Sequence, residues 1–253
     1  MSRFYYDLHI HSCLSPCADD DNTPNNILGM ASLAGLDIVA LTDHNTAKNC
    51  PAFFAAAERY GIIPIAGMEF TTSEDIHVVC LFERLSDAAD FDKSLDAYRI
   101  FIENRPEIFG NQLILDKDDS IIGEEKNLLI NALQISIEDL PAIVEEFSGI
   151  CFPAHIDRTS NGIIATLGDF PKTPHFSCVE FHNPDNITAM TQKHGLADKT
   201  VIVSSDAHNL SDIRDKEHYF ELDCDGSDPD FVRKRLFELL RRQNGGNFEG
   251  TFA

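Results

Sequence analysis

Short apolar runs rich in β-branched residues alternate with amphipathic helical patterns along most of this chain, and that alternation restricts its fold more than any other feature. The strand-forming runs are FYYDLHI (4–10), LDIVALT (36–42), IIPIAGMEF (62–70), IHVVCLF (76–82), GICFPA (149–154), CVEF (178–181) and VIVSS (201–205). Between them, TPNNILGMASLAG places Thr23 as an N-cap, Pro24 in the first turn and Gly35 as the stop. PAFFAAAERYG (51–61) repeats this grammar, and FVRKRLFELLRRQNGG ends the same way, with arginines where they complement the helix dipole. Strand–helix alternation of this kind predicts βα units and a largely parallel sheet.

The alternation breaks between about residues 85 and 147. A helical pattern, SDAADFDKSLDAYRIFIENR, is followed by NQLILDKDDSIIGEEKNLLI, in which two apolar runs flank the polar turn DKDDS. That stretch reads as a helix and a β-hairpin inserted into a single domain spanning 1–253.

Charge and composition narrow the partners. The formal charge of -22, from 42 acidic against 20 basic residues, predicts repulsion of anionic membranes and of long nucleic acid. No run approaches the eighteen or so apolar residues of a membrane span, and the amino terminus shows no secretory pattern, so a cytoplasmic location is expected. Seven cysteines without a CxxC pair read as reduced core residues.

The ends of the apolar runs carry the chemistry. In His9-Ile10-His11 two imidazoles at i and i+2 share one face of a strand and can bind one metal ion. LTDHN puts Asp43 and His44 at the end of the next strand, GMEF puts Glu69 at another, PAHIDR puts His155 at a third, and SSDAH puts Asp206 and His208 at a fourth. In a parallel βα barrel those carboxyl ends line one rim, where metal and substrate sites are built. His77 precedes its apolar run, so spacing alone leaves it outside this set.

The ordered set DLHIHS, LTDHN, GMEF, DIHVVCLF, PAHIDR and SSDAH resembles the PHP (polymerase and histidinol phosphatase) family of metal-dependent phosphoesterases over roughly residues 4–209. The resemblance implies a distorted (β/α)7 barrel of TIM-like type with two or three divalent ions, zinc, manganese or iron. It implies one ion on His9, His11, Glu69 and Asp206, a second on His44, His208 and an acidic residue of the first loop, and a third on His77 and His155 with Glu69 bridging. The first loop, SCLSPCADDDNTP, is longer than the SDG-type segment common in the family. Counting back from its TP favours Asp19, with Asp20 and Asp21 as competitors.

The activity that follows is hydrolysis of a small phosphomonoester, a nucleotide or another phosphorylated metabolite, by a metal-activated hydroxide. Arg158, three residues after His155, is placed to grip phosphate. His182, just past a strand end, is placed to donate a proton to the leaving group. Arg214 and Lys216 are further candidates for phosphate binding, and Asp43 is expected to orient His44. Three other readings fit the same residues: an exonuclease-type phosphodiesterase acting on short oligonucleotides, an amidohydrolase-like metal hydrolase, and a non-catalytic metal-binding module. The second commonly needs a strand-end lysine, and none of the strand-end motifs has one.

Overall fold

The structure is a computed structural model and describes residues 1–241. Among the described residues there are ten strands: β1 (Ser2–Ile10), β2 (Ile38–Leu41), β3 (Ile63–Thr71), β4 (His77–Phe82), β5 (Leu113–Leu115), β6 (Ile121–Glu124), β7 (Gly149–Pro153), β8 (Cys178–Phe181), β9 (Thr200–Val203) and β10 (Tyr219–Leu222). Six of them form one sheet in the order β10-β1-β2-β3-β4-β7, while β5-β6 and β8-β9 are separate pairs. β1, β2 and β3 are parallel, whereas β4 runs against both β3 and β7, and β10 runs against β1. The sheet is therefore mixed. Five residues separate β3 from β4, enough for a hairpin but far too few for a helical crossover.

The ladder does not run continuously around a closed barrel. β7 and β8 meet through Ile156 N donating to Glu180 O at 2.9 Å, and β9 approaches β1 through the isolated bridge between Ile10 and Ala207. Side chains complete that second seam: Val203 N donates to Tyr6 Oη at 3.3 Å, and Ser205 N donates to Asp7 Oδ1 at 3.1 Å. The result is an α/β fold with a curled sheet whose carboxyl strand ends gather at one rim.

Local signals hold where the sequence states them plainly. The helix Pro24–Ala34 has Thr23 accepting from Asn26 N and stops at Gly35 in the left-handed region, φ +77°. The helix Cys50–Ala57 runs on as a 3-10 turn to Gly61, also left-handed. The last helix is Pro229–Leu240, capped by Asp228, and the glycines at 245–246 expected to stop it lie outside the described residues. Within 85–147 a helix, Leu85–Ser94, precedes the expected hairpin β5-β6, which turns at 116–120. That hairpin leans on the first loop: Asp119 accepts from the Thr23 hydroxyl at 2.5 Å, and Leu113 N donates to Cys13 O at 3.0 Å.

Two apolar layers face opposite sides of the sheet. Inside the curl lie Phe4, Tyr6, Leu8, Ile38, Ala40, Ile63, Ile65, Val79 and Leu81, closed off by Val232, Leu236, Phe237 and Leu240 of the last helix. Outside lie Val39, Leu41, Ala66, Met68, Val78 and Cys80 against the surrounding helices. Gly67 pairs with Leu81 across β3 and β4, and a Cβ there would stand 2.6 Å from Cys80 O and 2.8 Å from a Leu81 methyl. Gly67→Ala is expected to cost about 1–3 kcal/mol through overpacking. A thermal melt unchanged from the parent would show that the strands separate without strain.

Candidate metal centre

Strand parity aims most of the rim residues inward. On β3 the inward face carries Ile63 and Ile65, so Glu69 points inward too. On β4 it carries Val79 and Leu81, and therefore His77. Because β4 is antiparallel, its amino end lies beside the carboxyl end of β3, with Thr71 paired to His77. This brings His77 to the rim, which its position ahead of the apolar run does not suggest.

Two ligand positions break parity. On β1 the inward residues are Phe4, Tyr6 and Leu8, which would turn His9 outward. A β-bulge intervenes: Asp7 pairs with Val39 and Ile10 with Leu41, so β1 carries one extra residue over this span. The bulge reverses the alternation, sends Ile10 to the outer layer and brings His9 and His11 inside, with Nε2 atoms 3.2 Å apart. On β7 the inward residues are Ile150, Phe152 and Ala154, and His155 follows with φ +27°. That conformation, disfavoured for a residue with a Cβ, turns the imidazole inward. Asp206, φ +53°, is held similarly past the end of β9.

The centre is built around buried Glu69. Its Oε1 lies 2.8 Å from His77 Nδ1, 3.0 Å from His155 Nε2 and 3.3 Å from His9 Nε2. Its Oε2 lies 3.2 Å from His44 Nδ1 and 3.3 Å from His11 Nε2. Ligand atoms of three sets lie within 4.8 Å of one another: His9, His11, Glu69 and Asp206; His11, His44 and His208; His44, Glu69 and His77. Asp206 Oδ1, 3.2 Å from His11 Nε2, makes no hydrogen bond, nor do His44 Nδ1 and His155 Nδ1, although all three are buried. Imidazole and carboxylate donors left unsatisfied in a closed cluster suit divalent cations.

The electrostatics divide the histidines. Burial opposes charge on His9, but Glu180, Glu69 and Asp206 hold its pKa well above the usual value. Burial likewise opposes His11, yet Asp206 and Glu69 raise it to about 9. Burial lowers His44 well below its normal value, and burial together with His11 lowers His208 to about 4. Burial also works against the Glu69 charge, but His77, His9 and His44 keep the carboxyl well below the ordinary range. At neutral pH His44 and His208 thus carry free lone pairs, while His9 and His11 hold protons that a cation must displace.

Of the first-loop acids, none joins the cluster. Asp19 is exposed, its Oδ1 accepts from Asp21 N at 2.8 Å, and only its backbone N reaches His208, donating to O at 2.9 Å. Asp20 Oδ2 accepts from Asn111 at 2.7 Å. Arg158 does reach the rim, where it pairs with Asp206 Oδ2 at 2.6 Å and lies 3.2 Å from His182 Nδ1. Asp157 turns away and caps the following loop through His182 N and Asn183 N. Burial, Arg158 and Arg214 lower the His182 pKa, which leaves this imidazole neutral at pH 7. Arg214 donates to His182 O at 2.7 Å, while Lys216 sits over the Tyr5 ring, away from the rim.

Asp43 does not orient His44. Its carboxylate takes Ser12 N at 2.7 Å, the Ser12 hydroxyl at 2.6 Å and the Ser15 hydroxyl at 2.8 Å, and Ser15 Oγ lies 3.0 Å from His11 Nδ1. The residue therefore supports His11 through the first loop. Sequence reasoning missed Glu180, a buried carboxylate 2.9 Å from His9 Nδ1. Its signal was available: an acid in the apolar run CVEF, on the inward parity of Cys178.

The family model of the PHP domain matches residues 7–118, which contain His9, His11, His44, Glu69 and His77. Over those residues the chain resembles a PHP domain. Over 74 residues, 29% of its length, it is 35% identical to an error-prone DNA polymerase of Symbiobacterium thermophilum, and over 76 residues it is 33% identical to an uncharacterized protein of Methanocaldococcus jannaschii. These stretches span 7% and 44% of those proteins.

Among solved structures, the chain is similar to the lesion-specific endonuclease Q of Pyrococcus furiosus (TM-score 0.62, 17% identity, 96% of this chain and 57% of that one). It is also similar to a protein of Bifidobacterium adolescentis described as a metal-dependent phosphoesterase (TM-score 0.55, 18% identity, 91% of this chain and 95% of that one). At these identities the likeness concerns the fold. It nevertheless corrects the expectation that long nucleic acid is excluded, because endonuclease Q is also solved with a 27-mer duplex carrying an abasic lesion at its active site (TM-score 0.61). Net charge is summed over a whole surface, but salt screens charges beyond about 8 Å, so carboxylates on the far side do not govern what approaches the rim. Among the described residues no helix is long and apolar enough to cross a membrane.

Proposed function

We propose that this chain is a metal-dependent phosphoester hydrolase that takes two or three divalent ions, zinc, manganese or iron, into its rim cluster. His9, His11, Glu69 and Asp206 hold one, His44 and His208 a second, and His77 and His155 share Glu69 for a third. Asp19 joins the second by swinging its carboxylate from the Asp21 amide. The observation that carries this reading is the convergence of five imidazoles on Glu69. A carboxylate offers about four lone-pair positions, so five donors cannot all be satisfied by hydrogen bonds to it. Ions held there activate water as a nucleophile and neutralise phosphate oxygens.

The chain's own residues orient the reaction. Arg158, anchored on Asp206, turns its remaining N–H groups to phosphate oxygens. His182, neutral at pH 7, donates a hydrogen bond to the leaving oxygen. Other cations beside the rim are engaged, Arg99 by Asp92 at 2.7 Å and Lys48 by Glu125. The grip is thus concentrated on one phosphoryl group, which favours a small phosphomonoester. The shared fold with endonuclease Q favours a second reading, cleavage of a phosphodiester in nucleic acid.

A panel of sugar phosphates, nucleoside mono- and bisphosphates, a trinucleotide and an abasic-site duplex, assayed with metal and with chelator, separates these readings. Chelator-sensitive phosphate release from the small esters supports the first, and turnover confined to the duplex supports the second. Arg158→Ala is expected to raise KM about tenfold or more at full metal content. No hydrolysis of any substrate by a fully metal-loaded protein would refute both readings.

A further inference from the structure

We infer that Glu180 is a positioning residue that fixes the metal-binding faces of His9 and His155 together, through one oxygen. The inference rests on reading the cluster as a metal centre. Glu180 Oε1 lies 2.9 Å from His9 Nδ1 and accepts from His155 N at 3.0 Å, and all three residues are buried. A carboxylate only accepts, so His9 Nδ1 carries the proton, and Nε2 is the nitrogen turned to Glu69, Asp206 and His11. The second bond fixes the amide of His155 in the left-handed conformation that brings its Nε2 to Glu69.

The placement of Glu180 in the fold gives the two bonds their importance. β8 has no ladder to β7 or to β1: its strand partner is β9, and from the β7 side Ile156 N donates to Glu180 O at 2.9 Å. His9 lies on the bulged end of β1 and His155 just beyond β7, on opposite sides of that gap. Glu180 ties both to β8. Neither a bulge nor a left-handed residue holds one orientation without such a partner, since the β ladder that would fix it is interrupted at both places. The remaining oxygen, Oε2, is buried and makes no hydrogen bond, so Oε1 provides all of the recognition.

The test uses the full chain and manganese or zinc alone, without substrate. Glu180→Ala is expected to weaken metal binding about 10- to 100-fold by competition with a chelator. It should also abolish the slowly exchanging His9 Nδ1–H proton resonance expected in the parent, with or without metal. Glu180→Gln, whose amide oxygen can still accept from both groups, should retain that resonance and recover most of the affinity. If Glu180→Ala does not fold, Glu180→Gln carries the test against Glu180→Leu, which matches it in bulk but cannot accept. Parental affinity and an intact resonance in a folded Ala or Leu variant would overturn the inference. A parent chain that keeps the resonance but binds no metal would refute the proposed function while leaving this positioning role standing.

Discussion

Glu69→Gln is expected to release metal from the centre and to lower hydrolysis about a thousandfold or more, which corresponds to several kcal/mol of lost transition-state stabilisation. The size of the effect follows from the hub position. Five imidazole nitrogens lie within 3.3 Å of this one buried carboxylate, so every candidate ion has Glu69 as a ligand or as a neighbour of its ligands. The substitution keeps shape and volume, and it removes the carboxylate that His77 Nδ1 faces at 2.8 Å. It also leaves protonated His9 and His11 with Glu180 and Asp206 alone as counterions. Breaking a buried ion pair from one side costs about 3–5 kcal/mol, so the metal-free variant should also melt well below the metal-free parent. Metal content by elemental analysis, paired with melts in chelator, checks both parts. Two or more ions retained per chain in Glu69→Gln would remove Glu69 from the centre.

Stability should depend on pH in opposite directions with and without metal. His9 and His11 have folded pKa values raised above the roughly 6.5 of an unfolded histidine, His11 to about 9. Proton binding therefore stabilises the metal-free fold fully below about pH 6.5, and that contribution is lost as pH rises towards 9. Metal uptake has the reverse sign, because both protons must leave before Nε2 can bind a cation. Apparent affinity should rise with pH across the same window, by up to about a hundredfold per unit when two protons are displaced. His44 and His208 are already neutral there and add no slope. Melting temperatures from pH 6.5 to 9 should fall in chelator and climb at a fixed subsaturating manganese concentration. Parallel curves would mean that protons and metal do not compete for these imidazoles.

The amino-acid sequence by itself determined the local events and much of the ligand set. Caps and glycine stops place the helices at Pro24–Ala34 and Cys50–Ala57, and DKDDS turns the hairpin β5-β6, because these choices depend on neighbours within a few residues. Period-2 alternation is equally local, and it suffices to turn Glu69 and Glu180 inward from the residues beside them. Tertiary structure decided what alternation cannot. His77 reaches the rim because β4 returns antiparallel to β3, and His9 and His11 face inward because pairing with β2 forces a bulge into β1. His155 turns inward only in a left-handed conformation that a distant glutamate holds. Asp19 shows the same limit from the other side: its spacing fits a ligand, but its carboxylate is turned to the Asp21 amide and has to swing to reach the cluster. Net charge failed as a guide to nucleic acid for a related reason, since a sum over the chain contains no positions. Each of these outcomes is set by contacts between segments far apart in sequence, and those contacts exist only once the sheet has curled.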